Sequence, residues 1–442
     1  MSAETCEYLP VLTDTQARLE ATRCLMCDDP PCVAACPADV PVKHFIRAIR
    51  FEAPRRAINL IREKNVFAGI CGLACPVERL CVGACRSTDL STPIAIGQLQ
   101  HYAAATELAS GRKGRAGKKT GARVAIIGGG PSGLSAAAEL ARLGHQPVVF
   151  EKNARAGGIC TYGVPAHRMP QELVAGEVEY VKSLGAEIRT GQSLGDDITI
   201  DSLLSDGFKA IYIAAGAQQA IKPPIPGADM QGVMVWKDLL DRWSAFHLGE
   251  GKEPTVPKSV VIVGGGSVAM DVAGAAARLG AEDVDIVCLE SPVEMPADRE
   301  ELEETRDAGA RFHTRSMPLE VTGEAGKVTG LRATRIRWKE PGRLVPDNAE
   351  PIDGTEYWLP AEMVIFAIGA RPAANMADAL AGVELDAFGR IRFDAATGAT
   401  SRPGVYAGGD VASGGGATIV QSVAEGKRAG QAIADYLKGT RS

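Results

Sequence analysis

The stretch RVAIIGGGPSG, residues 123–133, decides the fold. Its first five residues read as a short buried strand, and three glycines follow at G-x-G-x-x-G spacing: Gly128, Gly130 and Gly133. The first permits a tight turn, the second lets backbone approach a pyrophosphate, and the third allows close helix–strand packing. An Ala-rich helix is expected to Leu143, its N-terminal amides facing phosphate charge. A second strand over 146–150 leads to Glu151, where a carboxylate accepts ribose hydroxyls.

The pattern recurs downstream. Strand 259–263 enters Gly264-Gly265-Gly266-Ser267-Val268-Ala269, a G-x-G-x-x-A match, then a helix to Leu279 and a strand over 284–289 ending at Glu290. Two nucleotide folds imply two nucleotides. A carboxylate at Glu290 bonds a ribose 2′-hydroxyl and repels a 2′-phosphate. Ser291 and Pro292 follow, with no basic pair, so NADH is expected over NADPH. NADPH would require Glu290 to turn to solvent and Arg299 or Arg306 to receive the phosphate. Residues 210–216 (AIYIAAG) and 361–369 (AEMVIFAIG) read as strands entering Gly turns where the chain crosses between domains. Near the C-terminus, residues 404–409 lead to Asp410, which can reach the sugar chain of a flavin. Thr418 opens a helix through Tyr436 whose dipole can stabilise negative charge on a reduced flavin ring.

Eight of the 11 cysteines lie N-terminal to these folds, between Cys24 and Cys85. One group is Cys24-x2-Cys27-x4-Cys32-x3-Cys36-Pro37, the other Cys71-x3-Cys75-Pro76-x4-Cys81-x3-Cys85. Both contain the Cys-Pro step of the ferredoxin run. Zinc prefers two close Cys pairs, and these spacings differ from that. A thioredoxin-like use of Cys24 and Cys27 needs a βαβ context that residues 40–60 lack. Iron–sulfur ligation accounts best for two interleaved groups; zinc and inert thiols are the alternatives. Helical spacing over 13–23, 42–49, 54–61 and 93–108 makes this region all-helical, and metal binding is expected to contribute to its folding.

The fold class is therefore α/β: an N-terminal all-helical iron–sulfur module, then two Rossmann-like domains for FAD and NAD(P), the second inserted in the first. The expected boundaries are 1–110 for the helical module and 111–120 for a basic, Gly-rich linker. The FAD domain takes 121–222 and 367–442, with 223–366 forming the NAD(P)H domain. Composition agrees. Fifty glycines in 442 residues exceed the usual share, aromatics are 5%, and a net charge of −6 argues against a nucleic-acid or anionic-membrane binder. No apolar run reaches transmembrane length and the N-terminus lacks a signal-peptide pattern, so a cytoplasmic location is expected.

The motifs at 24–37, 71–85, 93–100 (PIAIGQLQ), 128–137, 157–168 (GGICTYGVPAHR), 264–271 and 407–429 together resemble the glutamate synthase small-subunit-like flavoproteins. Within them the likeness is to the iron–sulfur/flavin half of dihydropyrimidine dehydrogenase, a separate NAD-dependent PreT-type subunit in bacteria. The resemblance implies two 4Fe-4S clusters. One would take Cys24, Cys27, Cys32 and Cys85; the other Cys36, Cys75, Cys81 and the side-chain oxygen of Gln100. Spacing alone offers Cys71 in place of Gln100. It implies FAD contacts at Gly128, Gly130, Pro131, Ser132, Gly133, Glu151, Lys152, Gly158, Ile159, Arg168, Leu194, Gly409, Asp410 and Thr418. It also implies nicotinamide-nucleotide contacts at Gly264, Gly266, Ser267, Val268, Ala269, Glu290, Ala367, Ile368 and Gly369.

No nucleophilic or acid–base constellation is apparent. His44 and His101 read as packing or surface residues, His167 lies in the flavin loop, and Cys160 lacks a partner for dithiol chemistry. The segments leave no room for a substrate barrel or an FMN site. The expected activity is thus electron input. NADH would be oxidised through FAD and the clusters, and electrons passed to a catalytic partner subunit in a hetero-oligomer. That partner is expected to be an FMN-barrel subunit reducing uracil or thymine, with a glutamate synthase or ferredoxin-type acceptor as the alternative.

Overall fold

The computed structural model describes residues 10–118, 121–373, 376–413 and 418–439. Cys6, Lys119 and Thr120 lie outside the described residues. The chain divides into two compact units, one of residues 1–161, 166–219 and 371–442, the other of 162–165 and 220–370.

The first unit starts with helices that grow from local signals. α1 (Asp14–Thr22) begins at a capping box in which Thr13 and Gln16 satisfy each other's amides. α2 (Val42–Arg50) buries Val42, Phe45, Ile46, Ala48 and Ile49 along one stripe, and α3 (Pro54–Arg62) starts at Pro54, whose ring pre-sets the first helical φ. α4 (Ala68–Ala74) and α5 (Ile96–Ala109) complete the module. A parallel sheet follows in the same unit, made of β1 (Arg123–Ile127), β2 (Gln146–Glu151), β3 (Glu187–Thr190), β4 (Ala210–Ile213) and a last strand (Val405–Ala407). Its spatial order is last–β4–β1–β2–β3. Val124 pairs with Pro147 on one side and Ala210 on the other, the in-register ladder of a doubly wound fold. The helix Pro131–Arg142 packs against the C-terminal helix Ile419–Gly439 so closely that a Cβ on Gly426 would lie 2.0 Å from the Ser132 carbonyl.

The helical module and the flavin-type fold are one unit because charged side chains tie them together. Arg62 is 6% exposed at the end of α3 and pairs with Glu107 of α5 at 3.0 Å. It pairs also with Glu177 of the helix Gln171–Ser183 at 3.1 Å and lies over the Tyr180 ring. Glu177 accepts from the Gly69 amide at 2.8 Å, fixing the first turn of α4. Burial pushes the Glu177 carboxyl up, and Arg62 opposes that shift. Arg142 donates to the Arg62 carbonyl at 2.8 Å, and Lys427 donates to the carbonyl of Glu63, so donors of the flavin-type fold satisfy the C-terminal end of α3.

The second unit holds its own parallel sheet: Val233–Val235, Met363–Phe366, Ser259–Val263, Asp283–Val287 and Arg311–His313, in that spatial order. An antiparallel sheet built on Ser316–Glu324 and Lys327–Trp338 shares a core with its Val261, Val263 and Phe366 face. Sequence reading gave no sign of this antiparallel sheet. Its long strand departs from strict alternation, and the hairpin shifts register between Pro318 and Glu320 and again between Thr322 and Gly323, which scrambles the period-2 signal.

Candidate functional site

Cys24, Cys27, Cys32 and Cys85 line one cavity, together with Pro30, Val42, Lys43 and Ile46. They come from three separate local structures: the loop after α1 (Cys24 and Cys27), the short helical turn Pro31–Ala34 (Cys32), and the chain beyond Leu80 (Cys85). A tetrahedral zinc site would draw the sulfurs onto one point, with metal–sulfur distances of about 2.3 Å. Among the described residues no three His, Cys, Asp or Glu side chains are placed to hold a single ion. Thiols ringed around a cavity suit a cluster with its own volume. As free thiols Cys24 and Cys32 are held neutral: burial raises Cys24, and burial, then Cys24 and Cys85, pushes Cys32 to about 11. A cluster's positive charge would draw them to the thiolate form.

The second group also converges. Burial and the neighbouring Cys36 and Cys32 push Cys81 to about 12, and Cys75 is raised chiefly by a hydrogen bond with Cys71. Cys36, Cys71, Cys75 and Cys81 are thus neighbours, so the geometry keeps beside the others the Cys71 that spacing offers. Gln100 is buried on α5, and its Nε2 donates to the Ala68 carbonyl at 2.8 Å. A carbonyl partner fixes which end is nitrogen. The amide oxygen accepts no hydrogen bond among the described residues, which fits the ligand role implied by the resemblance.

At the first glycine turn, Gly128 takes φ +104°, and a Cβ there would lie 2.3 Å from the Ala214 carbonyl. A Cβ on Gly133 would lie 2.0 Å from the Gly128 carbonyl. Glu151 is 4% exposed; its carboxylate accepts from the Gly129 amide at 2.8 Å and the Asn153 amide at 2.8 Å. Gly158 backs onto Gly130, Ile159 is exposed beside it, and Lys152 is exposed past Glu151. Arg168 is half-buried. Leu194 points its side chain into the core, so only its backbone is available to a cofactor. Ser132 is buried and shares a 2.6 Å hydrogen bond with the Tyr212 hydroxyl. Gly409 presents its backbone to Ser132, which brings Asp410 to this turn. Burial, then the charge of Glu425, raises Asp410 to about 6. Thr418 and Gln421 form a capping box at the start of the C-terminal helix. The turn at 214–216 and Tyr212 were not among the sequence candidates. AIYIAAG marks a strand entering a turn, yet nothing in it announces that the first glycine packs there.

The second turn repeats this plan. Gly264 has φ +147°, and a Cβ there would lie 2.3 Å from the Ala367 carbonyl. Ala367, Ile368 and Gly369 thus stand to Gly264 as residues 214–216 stand to Gly128. A Cβ on Gly265 would lie 2.7 Å from Glu290 Oε2, so this carboxylate sits over the turn and not out in solvent. Burial, then Glu294, raises its pKa, while Arg315 lowers it. Arg315 pairs with Glu294 at 2.8 Å. Of the two arginines offered as alternative phosphate receivers, Arg299 pairs with Glu303 and Arg306 lies over the Phe312 ring. Ser267 and Val268 are half-buried and Ala269 is buried in the first turn of the following helix.

Two nucleotide turns of this kind, each closed by a carboxylate, define a flavin- and pyridine-nucleotide-dependent oxidoreductase, here carrying an iron–sulfur module. Residues 122–426 match the model of the pyridine nucleotide-disulphide oxidoreductases, and residues 2–112 that of dihydropyrimidine dehydrogenase domain II, 4Fe-4S cluster. The chain is 33% identical to the glutamate synthase [NADPH] small chain of Escherichia coli K12, over 98% of this chain and 94% of that one. It is 32% identical to the NAD-dependent dihydropyrimidine dehydrogenase subunit PreT of the same strain, over 99% and 98%. It is 35% identical to the NADP(+)-dependent formate dehydrogenase subunit beta of Moorella thermoacetica, spanning 60% of that protein's length. Among solved structures, Mycobacterium tuberculosis FprA in complex with NADPH shares the fold, with a TM-score of 0.62, 18% identity, and coverage of 73% of this chain and 86% of that one. The chain belongs to the pyridine nucleotide-disulphide oxidoreductase family, in the branch that joins this fold to a 4Fe-4S domain. It is an NAD(P)H-dependent flavin/iron–sulfur oxidoreductase. No helix among the described residues is long and apolar enough to cross a membrane.

Proposed function

We propose that the chain is the electron-input subunit of an NAD-dependent dihydropyrimidine dehydrogenase, oxidising NADH and delivering single electrons through two 4Fe-4S clusters to a partner subunit. The observation that carries this reading is Glu290, whose carboxylate overhangs Gly265 where a 2′-phosphate would approach. Two of the relatives described above are named for NADPH or NADP(+); the PreT relatives are named for NAD. Bound flavin and iron–sulfur centres would supply the splitting of one hydride's electron pair into single electrons. The chain's own residues do the rest. The amides after Gly128 and Gly264 face pyrophosphates, Glu151 and Glu290 accept ribose hydroxyls, and Asp410 accepts a hydroxyl of the flavin's sugar chain. Cys24, Cys27, Cys32 and Cys85 hold one cluster; Cys36, Cys75, Cys81 and Gln100 hold the other. The partner, with an FMN barrel, binds the pyrimidine; subunit status in the relatives supports a hetero-oligomer.

Anaerobic titration of the purified chain with NADH and then NADPH tests the nucleotide assignment. NADH is expected to bleach the flavin at far lower concentration and to raise reduced-cluster EPR signals. Preferential reduction by NADPH sinks the reading of Glu290. Co-purification tests the partner: an FMN protein that restores NADH-dependent uracil reduction supports the pyrimidine assignment, and a large amidotransferase overturns it in favour of glutamate synthase.

A further inference from the structure

A chain of net charge −6 carries a strongly basic hairpin next to its first cysteine cavity. Residues 42–62 hold six Lys or Arg and a single carboxylate, Glu52, which Arg18 already pairs at 2.6 Å. The burial pattern of α2 sets the direction of the others. Its apolar stripe turns inward, which leaves Lys43, Arg47 and Arg50 at i, i+4 and i+7 on one outer face. Arg55 and Arg56 continue the patch, exposed in the first turn of α3. Arg47, Arg50, Arg55, Arg56 and the exposed Arg86 have no ion-pair partner among the described residues. Lys43 donates to the Cys27 carbonyl at 2.7 Å and lines the Cys24/Cys27/Cys32/Cys85 cavity, as does Arg86. Arg50 acts electrostatically on Cys24. The exposed Asp28 and Asp29, in the loop between Cys27 and Cys32, Asp39 just before α2 and Asp89 just after Arg86 are the nearby carboxylates along the sequence, and none of them pairs with these cations among the described residues. Exposed Phe51 and Leu25 add apolar contact area at 68% and 46% exposure.

We propose that the outer face of α2 and the start of α3 is the docking surface for an acidic one-electron carrier protein or domain, which takes electrons at the adjoining cysteine cavity. Unpaired cations around an exit point raise the encounter rate with a carboxylate-rich partner and fix its orientation, an effect of about 10- to 1,000-fold that salt removes. The overall reaction balances as NADH plus two oxidised carriers giving NAD+, one proton and two reduced carriers. This rests on the electron-input reading above and names the chemistry of its acceptor.

The test uses the full holoprotein with NADH and two haem proteins of opposite charge, acidic cytochrome b5 and basic cytochrome c. At low ionic strength cytochrome b5 is expected to be reduced at least tenfold faster than cytochrome c, with the gap closing near ~0.3 M salt. Arg47→Glu/Arg55→Glu, both exposed, should lower the cytochrome b5 rate about tenfold and flatten its salt dependence. Lys252→Glu, exposed in the other unit, should change neither. Flavin bleaching by NADH is the internal control and stays unchanged in all three proteins. If NADH fails to bleach the flavin, the electron-input reading falls and the docking proposal with it. Normal bleaching with equal rates for both cytochromes, or with no effect of the double variant, overturns the docking surface alone. So does a short DNA duplex that binds at ~0.15 M salt and is lost in the double variant while the cytochrome b5 rate holds.

Discussion

At the first glycine turn Gly128 abuts Ala214, and Glu151 is clamped by two backbone amides. At the second, Gly264 abuts Ala367 in the same way, yet among the described residues Gly265 gives no hydrogen bond to Glu290. The third position differs too: Gly133 has no room for a methyl, whereas Ala269 already carries one. Backbone sterics require the shared part. The part that varies, a carboxylate tied into the turn by the Gly129 amide at one site and only overhanging Gly265 at the other, separates a tightly pre-formed cradle from a looser one. A retained cofactor suits the first and an exchanging nucleotide the second.

Substitutions can break this contrast. The largest effect is expected from Gly133→Ala. A methyl 2.0 Å from a carbonyl forces backbone apart, at a cost of about 1–3 kcal/mol in a packed site, and the purified protein should lose its visible flavin absorbance. The mirror change Ala269→Gly should leave NADH-driven flavin reduction within a fewfold of the parent. Next comes Glu290→Gln. Removing a charge beside the 2′ position should shift the NADH/NADPH kcat/KM ratio by roughly thirtyfold, about 2 kcal/mol, toward NADPH. Because burial raises the Glu290 pKa, the parent's discrimination should fade as pH falls toward that raised pKa, at a higher pH than an ordinary carboxylate would require, while the ratio in the variant stays flat. The smallest effect is thermal. Asp410 titrates near 6 in the fold against an ordinary 3.8, so its charge is disfavoured and stability is lost as pH rises through that window. Asp410→Asn should raise the melting temperature of flavin-stripped protein at pH 8 by ~2–4 °C, and the gain should vanish toward pH 4.

The α/β class and both turns were legible because a strand, spaced glycines and a terminal carboxylate are local features. Cys24 to Cys85 were legible for the same reason. Gln100 was not: an amide on an ordinary helix carries no spacing signal, and only the likeness to a family pointed to it. Arg62, Glu107 and Glu177 escaped notice because the three are far apart in sequence and read singly as surface charges. Their burial is a product of helix packing, which no local pattern encodes. Tyr212 looked like one more apolar residue in AIYIAAG, its hydroxyl partner Ser132 lying far back in the chain.

Severing the chain after Gly111 would leave Arg62 facing Glu107 without Glu177, and the end of α3 without the donors Arg142 and Lys427. Removing one partner from a buried charge network of that kind destabilises by several kcal/mol. The amino-terminal quarter is therefore no detachable cassette. Anyone grafting it onto another reductase would have to bring along the acid on Gln171–Ser183 and both cationic donors, or redesign the seam in hydrocarbon.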